Sequence, residues 1–223
     1  MKTPRPSSRL PEPTSAPTMA RTGPAYHHGQ LRQALIDAGL QFLRTHPYEA
    51  LSLRDLARSV GVSANAAYRH FEDKAALLGA IAAAGFEAFG CVQAQVRAEH
   101  ADPARRFRAS GLAYIRFARD NPSLFRLMFG GVDASSTNAD LVRASGQALQ
   151  GLMEGAAQGL GLGMGDARTL TSAAQAWATV HGLSHLVLDG RLQALSADVD
   201  ALIEAVLDQM KVTLAGQAAS RGA

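Results

Sequence analysis

Ala64, Asn65, Tyr68 and Arg69 recur at the spacing that gathers side chains onto one side of a short helix. An amide, a phenol and a guanidinium presented together are residue types that lie in a DNA major groove, where base edges and flanking phosphates offer them partners. The segment 51–71, LSLRDLARSVGVSANAAYRHF, has to hold them there. It reads as two short helices joined by a tight turn. Ser52 is placed to cap the first, because its hydroxyl can accept from an otherwise unpaired backbone N–H. Leu53, Leu56, Ala57 and Val60 then form one apolar stripe at helical spacing. Gly61 stops that helix, since glycine enters the left-handed region without a Cβ clash. Val62 falls into the angle between the helices, and Ser63 caps the second. Ala67 and Phe71 turn to the core, which leaves the first four residues outward. Helix, glycine turn and helix at this length is a helix-turn-helix pattern.

The stretches YHHGQLRQALIDAGLQFL and LSLRDLARSVGVSANAAYRHFEDKAALL together resemble the N-terminal domain of the TetR family of bacterial transcriptional regulators, over about Tyr26 to Leu78. Four features coincide: an amphipathic helix in front, the glycine turn, the Tyr-Arg-His-Phe end of the second helix, and Lys74 opening the next. Further on, WATVHGL (Trp177 to Leu183) resembles the Trp…His-Gly segment of one C-terminal domain type of that family. The resemblance implies a DNA-facing set of Ser52, Arg54, Ser63, Ala64, Asn65, Ala66, Tyr68, Arg69, His70 and Lys74. Within it, Ala64 and Asn65 approach bases, and Asn65 suits the N6 and N7 of adenine. Tyr68 holds the family's tyrosine position, against a phosphate or a thymine methyl. Arg69, His70 and Lys74 are placed for phosphates, and Arg54 for the groove edge. The start of the Lys74 helix is expected to add its partial positive charge. Two residues depart from the family: Ala66 stands where a threonine hydroxyl often meets phosphate, and Ala67 replaces a larger aliphatic side chain.

The rest of the chain reads as all-α. It has 223 residues, 47% hydrophobic and only 6% aromatic, and Ala and Leu dominate, as helix propensity favours. The pattern predicts helices over Leu31–Thr45, Lys74–Glu99, Pro103–Asp120, Pro122–Phe129, Ala139–Gly159, Gly165–Leu188 and Ala197–Leu214. Residues 1–24, rich in Pro, Ser and Thr, are expected to be a disordered basic arm, with Met19 as an alternative start. A helix-turn-helix domain over 25–73, a larger helical ligand-binding and dimerisation domain over 74–214 and a tail over 215–223 complete the expected organisation. GLGLGMG, residues 159–165, lacks the Lys-Ser/Thr of a phosphate loop and follows a helix, so it reads as a flexible linker. Net charge is +3, and its location matters more than its size: ten Lys/Arg face six Asp/Glu in residues 1–80, twelve face thirteen beyond. Cys91, the sole cysteine, permits no intrachain disulfide, fits a reducing cytoplasm and reads as a small core residue. No stretch is expected to span a membrane; Ala75–Phe86 is uncharged but short of the ~20 residues required.

One recognition helix reads few base pairs, so a homodimer on a near-palindromic double-stranded operator is expected. The resemblance puts dimerisation in the last two long helices, where Leu183, Leu186, Val187, Leu202, Ile203, Val206 and Met210 supply apolar faces. A small-molecule effector is expected in a pocket drawn from Phe86, Phe89, Tyr114, Phe117, Phe125, Met128, Met153, Trp177 and His181. The arginines of Pro103–Asp120 suit either an anionic ligand or a solvated face. The leading reading is a ligand-responsive repressor without catalytic residues or cofactor. The same fold would serve an activator. His181, His185 and Asp189 step by four along one helix face, as a metal-responsive regulator or a polar interface rim would have them. A small helical enzyme using these residues and Cys91 is the alternative of a different class, but no nucleophile–base spacing supports it. A sequence-indifferent architectural DNA binder would need more charge than this chain carries.

Overall fold

The computed structural model describes residues 28–132 and 138–219. Among the described residues there are nine α-helices and no strand: α1 (His28–Phe42), α2 (Leu53–Ser59), α3 (Ala64–Tyr68), α4 (Lys74–Glu99), α5 (Pro103–Asp120), α6 (Pro122–Arg126), α7 (Ala139–Leu160), α8 (Ala167–Leu188) and α9 (Val199–Ala219). The expected arm, residues 133–137 between two expected helices and residues 220–223 of the expected tail lie outside the described residues. Helix α9 runs to Ala219, five residues past the expected end.

Side chains set most of the helix starts. Ser52 accepts from the Asp55 N–H at 3.4 Å, Ser63 from Ala66 at 3.2 Å, and Asp73 from Ala76 at 2.7 Å. Asp102 caps α5 with Pro103 in its first turn, and Asn138 caps α7. Helix α2 stops as expected: Gly61 sits at φ 77°, its N–H bonds to Arg58 O, and the Val62 N–H reaches Ala57 O at 2.9 Å. The same device closes α7. Gly161 is left-handed and the Leu162 N–H reaches Ala157 O, so GLGLGMG begins as a helix stop rather than as a linker throughout.

One apolar core runs without interruption from the first three helices into the bundle. Leu35, Leu56, Ala57, Ala67 and Phe71 meet Leu77 and Ile81 of α4, and farther along α4 the core continues through Phe86, Phe89, Ile115 and Phe125. A helix apolar on every side must be buried to be stable in water, and α4 is the middle of the molecule. By length and composition alone α4 qualifies as a membrane span, contrary to expectation; 56% of its apolar window is buried inside the bundle. Small residues allow close approach. A Cβ at Gly85 would lie 2.8 Å from Met128 Sδ, and one at Gly131 would lie 2.8 Å from the Tyr48 ring. Cys91 is exposed on α4, so its expected place in the core is wrong.

Arg105, Arg116 and Arg119 of α5 are exposed, as a solvated face would have them, while Arg106 and Arg108 are half-buried. Arg108 pairs with Glu204 (2.6 Å) and Asp208 (3.0 Å), and Arg119 with Asp200 (2.5 Å), stitching α5 to α9. Asp200 is held below the usual carboxylate range by the hydrogen bond from Arg119 and by its charge. Arg106 bonds to Gln158 on α7 and to the carbonyls of His100 and Ala101.

Candidate nucleic-acid interface

The turn at Gly61 sets α3 across α2, with Ala67 fully buried beneath it. Asn65, Tyr68 and Arg69 consequently point to solvent together with Arg54 of α2; Tyr68 is 44% exposed, a large share for an aromatic ring with an adjacent core to join. Ala64, Ala66 and His70 are half-buried. Helix α3 is shorter than the run to Phe71 suggested, although His70 and Phe71 still bond back to Ala67 O. The Ser52 and Ser63 hydroxyls are occupied as caps, so their first role is to hold the two helices. Lys74 is exposed, and its Nζ donates to the Glu49 carbonyl at 2.6 Å, which fixes the amine against the turn Tyr48–Ala50. The Asp73 carboxylate caps α4 and offsets the partial positive charge expected at that helix start. Sequence reasoning missed both, because each depends on where a neighbouring turn or side chain lies.

The expected effector residues are brought together, but as a packed cluster. Phe86, Phe89, Tyr114, Phe117, Phe125 and Met128 are buried. Phe89 meets Tyr114 and Phe117 edge-on at 5.2 and 5.4 Å, Phe86 meets Phe129 at 5.3 Å, and Phe129 meets His181 at 5.0 Å. Met153 is half-buried and is not among the side chains packed on this core. Of the nine expected residues only Phe117 lines an open groove of about 790 Å³, which runs between α4 and α5 beside Val92, Val96 and Leu112.

The Trp…His-Gly segment reaches one phenol. The Tyr114 oxygen lies 3.0 Å from His181 Nδ1, and the Trp177 ring meets the same imidazole edge-on at 6.3 Å. Burial pushes the Tyr114 hydroxyl up, so it stays protonated. Burial, and then the neighbouring His185 ring at 4.7 Å, hold His181 below the usual histidine value. Asp189 pairs with Arg126 instead of joining the two histidines, and no group of three or more His, Cys, Asp or Glu able to hold a metal occurs among the described residues.

Two expected interface residues turn inward: Leu183 and Ile203 are buried in the protomer's own core. Helical phase explains it, since each lies on the side of its helix that faces the bundle. Val187, Leu202, Val206 and Met210 also pack against that core but stay half-buried. Leu186 is exposed, as are Leu170 and Trp177 on the same helix.

A helix-turn-helix with an exposed polar row, leading by one long helix into an all-helical bundle, defines a DNA-binding transcriptional regulator. Residues 35–81 match the bacterial regulatory proteins of the tetR family, and residues 107–210 match the tetracyclin repressor-like C-terminal domain. The chain belongs to the TetR family. It is similar over 86% of its length, at 32% identity and a TM-score of 0.73, to 98% of a Rhodococcus protein of unknown function. It shares its fold with the TetR-family regulator PfmR of Thermus thermophilus (20% identity, TM-score 0.54, 80% of this chain and 96% of that one). The fold is also that of a TetR variant from Acinetobacter baumannii in complex with minocycline (21% identity, TM-score 0.56, 81% and 94%). No curated protein matches the chain.

Proposed function

We propose that the protein is a ligand-responsive repressor that binds a near-palindromic operator as a homodimer. The observation that carries the reading is the exposed row of Asn65, Tyr68, Arg69 and Arg54, held on capped helices and joined through α4 to an aromatic bundle. Asn65 and Ala64 read base edges; Tyr68, Arg69, His70 and Lys74 anchor phosphates. At 26 residues α4 is about 39 Å long at ~1.5 Å per residue, enough to carry a small tilt from the bundle to α3. The exposed Leu170, Trp177 and Leu186 support pairing through α8, with the half-buried Leu202, Val206 and Met210 of α9 beside them. The Phe-rich cluster around Tyr114 and His181 suits an apolar, partly aromatic effector, and the related fold that holds minocycline supports that class. Effector binds better when α4 is swung, the two recognition helices lose their spacing, and operator affinity falls.

The test is a gel shift on near-palindromic DNA from beside the protein's own gene. A sequence-specific shift at physiological salt, with two protomers per site, is the expected result. Binding that depends on salt but not on sequence would replace this reading with an architectural one.

A further inference from the structure

Helix α4 is not the only connection between the DNA-facing helices and the bundle. Arg32, on α1, donates from Nη2 to Asp140 Oδ2 at 3.1 Å, across 108 residues of sequence, in the first turn of α7. Its guanidinium carbon stands 5.5 Å from the centre of the Phe71 ring, which ends the α3 turn and is 3% exposed. One side chain therefore reaches both Phe71, three residues past the end of α3, and the start of α7. Asp140 is tied onward: Arg143 lies 3.8 Å away and pairs with Glu87 on α4 at 2.6 Å. Next to it, Asn138 caps α7 and fits against Gly79 of α4, where a Cβ would come within 3.0 Å of Nδ2.

We infer that Arg32 is a positioning residue that latches the DNA-facing helices to α7 and so helps to set the tilt of α3. This deepens the repressor reading and rests on it for its meaning. A displacement of α7 moves Asp140, and Arg32 transmits that displacement to Phe71 and α3. The geometry argues against Arg32 as a phosphate anchor, because its charge is directed at an acid on the bundle. The strength of the contact also fits a latch. Both partners are partly exposed, 40% and 50%, and an ion pair so placed is weak in water. An effector can shift an equilibrium only by its differential affinity for the two states, so a strong clasp here could not be released.

The test uses the full chain with Cys91→Ser and spin labels at Glu72→Cys and Gln147→Cys, both exposed positions. Labelled chains are mixed with an excess of unlabelled Cys91→Ser chain, so the measured distance lies within one protomer. A single narrow distance distribution is expected. Arg32→Ala and Asp140→Ala should each broaden or shift it by several ångströms, roughly the one-turn scale of helix displacements. The double variant should be no broader than either single one, and Arg32→Lys, which keeps the charge, should recover most of the original width. Circular dichroism should stay unchanged throughout. Unchanged distributions in both single variants, or broadening that adds in the double, would overturn the latch. Operator binding by the unlabelled wild-type chain is measured separately, so a failure of the repressor reading shows there and leaves the distances to decide the latch.

Discussion

Tyr68 and Lys74 are the residues at which the DNA reading is most exposed to test. Tyr68→Ala removes a ring that supports little of the core, so it should lower operator affinity by about 1 kcal/mol or more with the circular dichroism spectrum intact. Lys74→Ala should flatten the salt dependence of binding by about one counterion, read from the slope of affinity against salt. It also removes the hydrogen bond to Glu49, so a small loss of thermal stability should accompany it. His181 gives the pH dependence. Its folded value is depressed by burial and by His185, so the unfolded chain binds more protons as the solution is acidified. Its contribution to stability is therefore complete above about pH 6.5, the ordinary histidine value, and falls as pH drops through the lower folded value. Thermal melts between pH 7.5 and 5 should show a falling midpoint that His181→Gln makes shallower. At this scale outwardness was legible, because Ala67 and Phe71 fix the phase of α3. The Glu49–Lys74 bond and the Tyr114–His181 contact were not, because their partners are 25 and 67 positions apart in sequence and no periodicity links them.

Among the elements, the α2–Gly61–α3 turn carries the most information per residue. Gly61→Ala places a Cβ in the left-handed region, costing about 1–2 kcal/mol, with no neighbour within 4 Å to add a clash. A melt should show that loss while the spectrum keeps its helical shape. This turn was readable because its signals are local: a cap at Ser52, a stop at Gly61, a second cap at Ser63. The helix over Lys74–Glu99 was readable at its far end for the same reason, from Asp102-Pro103 after it, whereas its cap at Asp73 was missed. The inward turn of Leu183 and Ile203 was missed because an apolar stripe states that a helix is buried on one side, not whether its own bundle or a second chain does the burying. Cys91 was misplaced by the same gap: residue type suggested the interior, whereas its position on α4 faces solvent.

For the whole molecule, the decisive question is whether two chains combine. Leu186→Lys puts a charge on the exposed apolar side of α8 without disturbing the protomer's own core. Sedimentation should then show a monomer, and operator affinity should fall by at least about a hundredfold, since two linked half-site contacts are replaced by one. A fall in affinity with the dimer intact would move the pairing surface elsewhere. The close fit on α4 of Leu127–Gly131, the helical turn that follows α6, has a consequence of another kind. Met128 is 4% exposed, and its sulfur lies where Gly85 leaves no room for even one more carbon. Peroxide can add an oxygen to that thioether only while this turn and α4 are parted, and the sulfoxide formed is too large and too polar to be sealed in again. The rate at which Met128 oxidises, followed by mass spectrometry, therefore counts how often the interior breathes, and each oxidised chain would record an opening it could not reverse.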